Sequence, residues 1–268
     1  MSFKKGPFFI CFLVLLFGMI FAKSAISGGR KMSLQWKLGY EHYSYAYEEP
    51  GVMQNRANFD GAVFSVTYRR YLMLRLEGRW AKAKVDYSSS SSAKIKNIDD
   101  RMYELRGLFG YNFYLHNSIV TPFVGYAYRY LNDDSENMYS TAGEIGYDRE
   151  SNYYYSPIGL EFISYLDKNW IIGSTVEYDY LWHGIQYSYL GYVPGYWDIK
   201  NKQYHGYGAR ISFLLARKIN RSAYLGIEPF YRYWRIEDSR IDVDPAGRKL
   251  MEPYNRTTEL GIQLFIMF

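Results

Sequence analysis

After residue 33 the chain alternates between large apolar and polar positions along most of its length. In TTELGIQLFIMF (257–268), Leu260, Ile262, Leu264, Ile266 and Phe268 fall at every second place, with Glu259, Gly261 and Gln263 between them. Successive side chains of an extended chain point to opposite faces, so a period of two predicts a strand with one oily face and one mixed or polar face. The design recurs. Leu34, Trp36, Leu38 and Tyr40 alternate with Lys37, Gly39 and Glu41, and Leu74, Leu76 and Trp80 with Arg75, Glu77 and Arg79. Further on, Tyr103, Leu105, Phe109 and Tyr111 alternate with Glu104 and Arg106, and Val176, Tyr178, Tyr180 and Trp182 with Glu177 and Asp179. Strands are read over about 33–47, 57–69, 72–87, 101–114, 120–131, 152–166, 170–187, 203–217, 223–237 and 257–268.

The connections alternate as well. Arg70-Tyr71, His116-Asn117-Ser118, Asp167-Lys168-Asn169 and 218–222 are tight, whereas 48–56, 88–100, 132–150, 189–201 and 238–253 are long and polar. About ten antiparallel strands with this asymmetry predict an all-β transmembrane barrel with short periplasmic turns and long external loops. Eight strands is the alternative, if two segments merge. An even count lets the first and last strands pair and removes both open edges, as lipid requires. The strands exceed the roughly 9–11 residues that a tilted span needs, so the wall is expected to project beyond the bilayer. Residues 25–268 read as one barrel domain.

The last segment, ending on Phe268 with its free carboxylate, resembles the C-terminal assembly signal of bacterial outer-membrane β-barrels. That resemblance implies Leu260, Ile262, Leu264, Ile266 and Phe268 as the signal, and the barrel-assembly machinery as a partner during biogenesis. At the other end, Lys4 and Lys5 precede an apolar run over 7–22, and Ala22-Lys23-Ser24 offers small residues to a signal peptidase. Residues 1–24 are therefore read as a secretory signal peptide; the run falls short of the roughly 20 residues of a helical span. Together these place the protein in the bacterial outer membrane, exported through the periplasm of a Gram-negative envelope.

Composition sharpens the picture. The one cysteine, Cys11, lies in the leader, so the remainder has no thiol to mispair in an oxidising periplasm. Without Lys4, Lys5 and Lys23 the rest holds 29 basic and 27 acidic residues, and the basic ones do not gather on one face as in a nucleic-acid binder. Aromatic residues make up 20% of the chain, 31 of them tyrosine, the residue suited to the boundary between an oily wall and lipid headgroups. Outer-membrane lipid and lipopolysaccharide are the expected surroundings.

The inward positions bear on transport. The register turns Lys37, Arg75, Arg79, Arg106, Arg129, Arg210 and Arg232 inward, together with Glu41, Glu77, Glu104, Glu161, Glu177, Asp179, Glu228 and Glu259. The two signs nearly balance, and a barrel of eight to ten strands is narrow enough for side chains to fill. Buried charges persist when paired, so a salt-bridged lumen that blocks passage is expected. A small porin-like channel for ions or small solutes is the alternative.

Three constellations could hold chemistry. His42-Tyr43-Ser44 resembles the His-x-Ser element of the outer-membrane lipid A deacylases, with Asp60 on the next strand as the orienting acid. A His beside a Ser can take its proton, and an acid can orient the His; against this, Tyr45 stands where that family has Asn, and polar residues are common in an aromatic belt. Omptin proteases, also ten-stranded, need two acidic groups facing an Asp and a His across the barrel mouth. Here Asp99 and Asp100 lie at one rim with Asp198 and His205 roughly opposite, without that family's close Asp-x-His spacing. Glu177, Asp179 and His183 read as one inward face, most simply a structural network. No phosphate loop, Cys–His zinc pattern or calcium-loop motif is present, and neither metal nor cofactor is expected. The loops supply exposed aromatics, Tyr192, Tyr196 and Trp197 around Pro194-Gly195, as contact candidates for a surface ligand. The expectation is therefore a filled barrel acting through its loops, in surface interaction, adhesion or envelope integrity.

Overall fold

A computed structural model describes residues 33–91 and 93–268; the leader read at 1–24 lies outside the described residues. Ten long strands follow one another: β1 (Ser33–Glu49), β2 (Met53–Arg69), β3 (Leu72–Ser89), β4 (Lys94–Tyr111), β5 (Ser118–Asp134), β6 (Asp148–Tyr165), β7 (Trp170–Tyr189), β8 (Gly206–Lys218), β9 (Tyr224–Ile236) and β10 (Asn255–Met267). Each pairs antiparallel with its sequence neighbours. β1 also pairs with β10, from Lys37↔Met267 to Glu48↔Arg256, so the sheet closes on itself. Trp36 and Phe268 exchange two backbone hydrogen bonds (3.1 and 2.8 Å) and extend that seam to the short-turn end. Short strands at Phe113–Leu115 and Ile199–Gln203 prolong the sheet at its two ends, and Asp242–Val243 pairs with Lys249–Leu250 within the last long loop.

Alternation makes one wall and one lumen. Leu74, Leu105, Phe109, Val176, Phe213, Leu260 and Leu264 stand exposed on the outside. An apolar surface of this extent is stable only against lipid or a partner. The oily belt on β4 runs from Tyr111 to Tyr103. Beyond it the outward residues turn polar, with Lys82, Lys84 and Asp86 on β3 and Asp99 and Arg101 on β4, so the strands continue past the belt toward the long loops.

Two bulges shift the alternation. Between β3 and β4 the register slips at Val85/Tyr87 opposite Ile95 and Ile98, and Asn97 there has φ 61°. Ile95 and Ile98, three residues apart, are both buried as a result. The segment 94–100, read from sequence as loop, is therefore strand: the extra residue breaks the period of two that would have marked it. A second bulge lies between β6 and β7, where Tyr155 faces Leu181 and Tyr154 faces His183.

The lumen is layered. Near the short turns an apolar floor comprises Ile171, Ala216, Phe265 and Met267, with Met73, Leu108 and Phe123 beside it. Charged residues fill the middle. Toward the long loops, Tyr43, Tyr45 and Phe59 and then Tyr155, Leu181 and Trp234 form aromatic layers. Burying each such side chain contributes roughly 1.5–3 kcal/mol.

Candidate functional site

The charged layer is built by position parity. β3 presents Arg75, Glu77 and Arg79 to the lumen, β4 presents Glu104 and Arg106, and β7 presents Glu177 and Asp179. On the floor side Glu161 accepts from Arg69 (2.6 Å) and Arg75 (2.5 Å), and Lys37 reaches Glu228 (2.7 Å). Arg106 bridges Glu77 (3.3 Å) and Glu177. Closer to the aromatic layer Arg210 donates to Glu104 through Nη1 and Nη2 (3.0 and 2.6 Å) and through Nε to Asp179 (2.8 Å). Glu259 gathers three guanidiniums, those of Arg79 (2.9 Å), Arg129 (2.8 Å) and Arg232 (3.0 Å). Glu41 closes the ring through Arg79 (3.2 Å) and Arg232 (3.1 Å).

These groups join opposite walls by contacts of alternating sign. Hydrogen-bonded pairing is what makes buried charge tolerable. Rings pack over the guanidiniums: Arg79 lies 5.4 Å from the Tyr43 ring centroid, Arg129 5.6 Å from Trp234 and Arg210 5.5 Å from Tyr155. A cavity of about 180 Å³ lies on the floor side, lined by Lys37, Arg75, Glu77, Glu161 and Glu228 among others, with Arg79, Glu104, Arg210 and Arg232 also lining it. Arg69 belongs to this network although the sequence reading did not name it. It has the parity of Ser65 and Thr67, and that was the available signal.

On the outer wall His42 and Asp60 are cross-strand partners, with Nδ1 2.9 Å from Oδ1, and Tyr40 Oη donates to the same carboxylate. Ser44 is not part of that contact: its hydroxyl donates to the Leu260 carbonyl (3.2 Å). His183 does not join Glu177 and Asp179. The bulge at Trp182 turns it to the outside, where its ring stacks on Tyr154 with centroids 4.6 Å apart. Tyr192 donates to the Gly146 carbonyl, and Arg248, tied to Asp244 (2.6 Å), lies 4.2 Å from the Tyr196 centroid and 5.8 Å from that of Trp197. The three long-loop aromatics thus link neighbouring loops while each keeps an exposed edge.

No family model matches this chain, and no curated protein matches it. Among solved structures, the outer-membrane protease OmpT of Escherichia coli aligns with a TM-score of 0.64 over 91% of this chain and 98% of that one, at 10% identity. This is the fold of a bacterial outer-membrane β-barrel. Neisserial surface protein A (TM-score 0.32, 11% identity, 88% of this chain and 97% of that one) and OprG of Pseudomonas aeruginosa (0.37, 10%, 91% and 97%) also align, more distantly. The oily belt of the barrel accordingly lies in the outer membrane.

At 10% identity OmpT shares the fold, and each candidate residue has to be located in this barrel. Asp99 and Asp100 are consecutive on β4 and so face opposite sides of the wall. Asp99 pairs outside with Lys84 (2.7 Å), and Asp100 is buried in the lumen. Asp198 accepts from the Gly191 amide (2.7 Å), so its carboxylate is spent on its own loop.

Proposed function

We propose that this outer-membrane barrel is a plugged one that works through its long loops, in surface interaction, adhesion or envelope integrity. The observation that supports it is the unbroken chain of paired charges across the lumen, from Glu41 and Glu259 to Arg210 and Asp179, with aromatic layers on one side and an apolar floor on the other. Such a lumen is expected to deny water a continuous path, which leaves the aromatic-bearing loops as the parts to meet a partner. The test is conductance of refolded protein in a planar bilayer, with folding checked by heat-modifiable gel mobility. A silent membrane is expected. Steady, reproducible channels would instead make passage of ions or small solutes the function.

A second reading rests on the His42–Asp60 contact, because an acid on Nδ1 leaves Nε2 free as a base, the orientation a lipid-facing hydrolase needs. It predicts a mass change in lipid A incubated with the purified barrel, lost in His42→Ala. Since Ser44 is engaged by a carbonyl, the expected result is no change in mass, and turnover abolished by His42→Ala would reverse that order of preference.

A further inference from the structure

Beyond the aromatic layers, where the strands have left the oily belt, buried carboxylates outnumber the cations that meet them. Arg149 is flanked by Glu49 (3.3 Å) and Glu252 (3.9 Å), and Tyr47 donates to both (2.7 and 3.3 Å). Asp100 and Asp133 face each other across β4 and β5 in the same region. In this second pair Ser135 hydrogen-bonds the Asp133 carboxylate, and Asp133 Oδ2 also accepts from Asn55 Nδ2 (3.1 Å). That contact fixes the amide, so Asn55 Oδ1 is an acceptor, and neither it nor Asp100 Oδ1 meets a donor, although the two residues are only 3% and 6% exposed. Among the other charges nearby, Asp134 adds to the negative field on both aspartates. Asp99 points outward to Lys84 (2.7 Å), and Arg129 is held by Glu259 (2.8 Å).

Asn55, Asp100 and Asp133 line one cavity of about 30 Å³, shared with Tyr45, Tyr47, Tyr153, Arg149 and Arg129. A sphere the size of a water needs about 10–15 Å³. Four carboxylates around Arg149 leave a negative excess, and an unmade bond on a buried acceptor costs free energy. A water molecule could donate to these oxygens but would leave the charge excess in place.

We propose that Asn55, Asp100 and Asp133 hold a hard divalent cation, calcium above all, at the long-loop end of the lumen. The donors are oxygens only, the preference of calcium and magnesium, and calcium accepts an irregular shell completed by water, whereas magnesium demands a near-ideal octahedron. Among the described residues no three His, Cys, Asp or Glu side chains gather as metal ligands; here the third protein donor is an amide oxygen. With Arg149 close by, the affinity belongs in the weak range of extracellular calcium modules, a Kd on the order of 10⁻⁴–10⁻³ M. Burial, and then the charge of Asp133, push the Asp100 carboxyl well above the ordinary carboxylate range, and burial raises that of Asp133 also. Without a cation, the stabilisation from their protonated forms is complete below the ordinary carboxylate pKa near 4 and is lost as pH rises through the raised values. The cation takes the proton's place above that window.

The tyrosines of the cavity permit a direct assay: terbium added to refolded, lipopolysaccharide-free barrel in detergent at pH 7.5, with tyrosine excitation. Saturable sensitised emission is expected, competed away by calcium and lost at pH 4. In Asp100→Asn and Asp133→Asn it should fall at least tenfold, with heat-modifiable mobility retained, and in the outward control Asp99→Asn it should be unchanged. If either aspartate variant does not fold, Asn55→Ala keeps both carboxylates and should still weaken emission severalfold. Absent emission, or emission unaltered in all the lumen variants, overturns the proposal. Absent emission with stability rising as pH falls would assign the cluster to protons alone.

Discussion

Replacing Glu259 with alanine should destabilise the barrel by about 3–5 kcal/mol, the cost of breaking a buried ion pair. Glu259 is 1% exposed and accepts from three arginines. Arg79 and Arg232 keep Glu41 as a partner, but Arg129, itself 2% exposed, loses the one carboxylate it contacts among the described residues. A guanidinium left so would have to draw water into a layer packed by Trp234 and Tyr43. Glu259→Gln should cost less, since an amide oxygen still accepts. The double variant Glu259→Met, Arg129→Met should recover much of the loss, because a buried pair exchanged for apolar residues of similar volume is often neutral. Urea titration in detergent, followed by tryptophan emission and by the folded gel band, measures all three. A Glu259→Ala barrel with the wild-type midpoint would mean that water already reaches this level, and the plugged-lumen reading would fall with it.

The second large effect concerns closure. Gly261 faces Tyr43 on β1 and Phe230 on β9. A Cβ there would lie 2.4 Å from the His42 carbonyl oxygen, 2.4 Å from Tyr43 Cβ and 2.8 Å from Phe230 Cζ. Two of these contacts are with backbone or a Cβ and cannot swing away, so Gly261→Val has to part the β1–β10 seam or displace Tyr43 from under Arg79. Overpacking of a tight core costs roughly 1–3 kcal/mol and sometimes more, so the folded, heat-modifiable band should shrink sharply or vanish. Gly107, where an added Cβ meets nothing within 4 Å, is the control, and Gly107→Val should fold as the wild type does. Equal refolding yields for the two variants would show that the seam tolerates side chains the packing says it cannot.

The barrel was legible wherever the alternation ran unbroken. Arg75, Glu77 and Arg79 fall at every second position of β3, and parity alone turns them to the lumen. Where a bulge inserts one residue, parity fails. Parity places His183 inward because nothing in the sequence announces the extra residue at Trp182, and 94–100 reads as loop because Ile95 and Ile98 are three apart. The Asn55–Asp100–Asp133 cluster was hidden for a different reason. Its members come from three strands, and Asn55 lies in a segment that Pro50 and Gly51 made look like a loop. No local spacing could bring them together; the register of the closed sheet does.

The reach of the charge network also constrains how the barrel can form. Arg79 meets Glu259 across 180 residues of chain, and Arg232 meets Glu41 across 191. Neither contact exists until β10 lies against β1, so a half-finished sheet would present bare guanidiniums and carboxylates toward lipid. Contacts so distant in sequence repay their loop-closure entropy late. Partly inserted forms are thus penalised at every stage but the last, and the barrel should appear in the membrane in a single cooperative step.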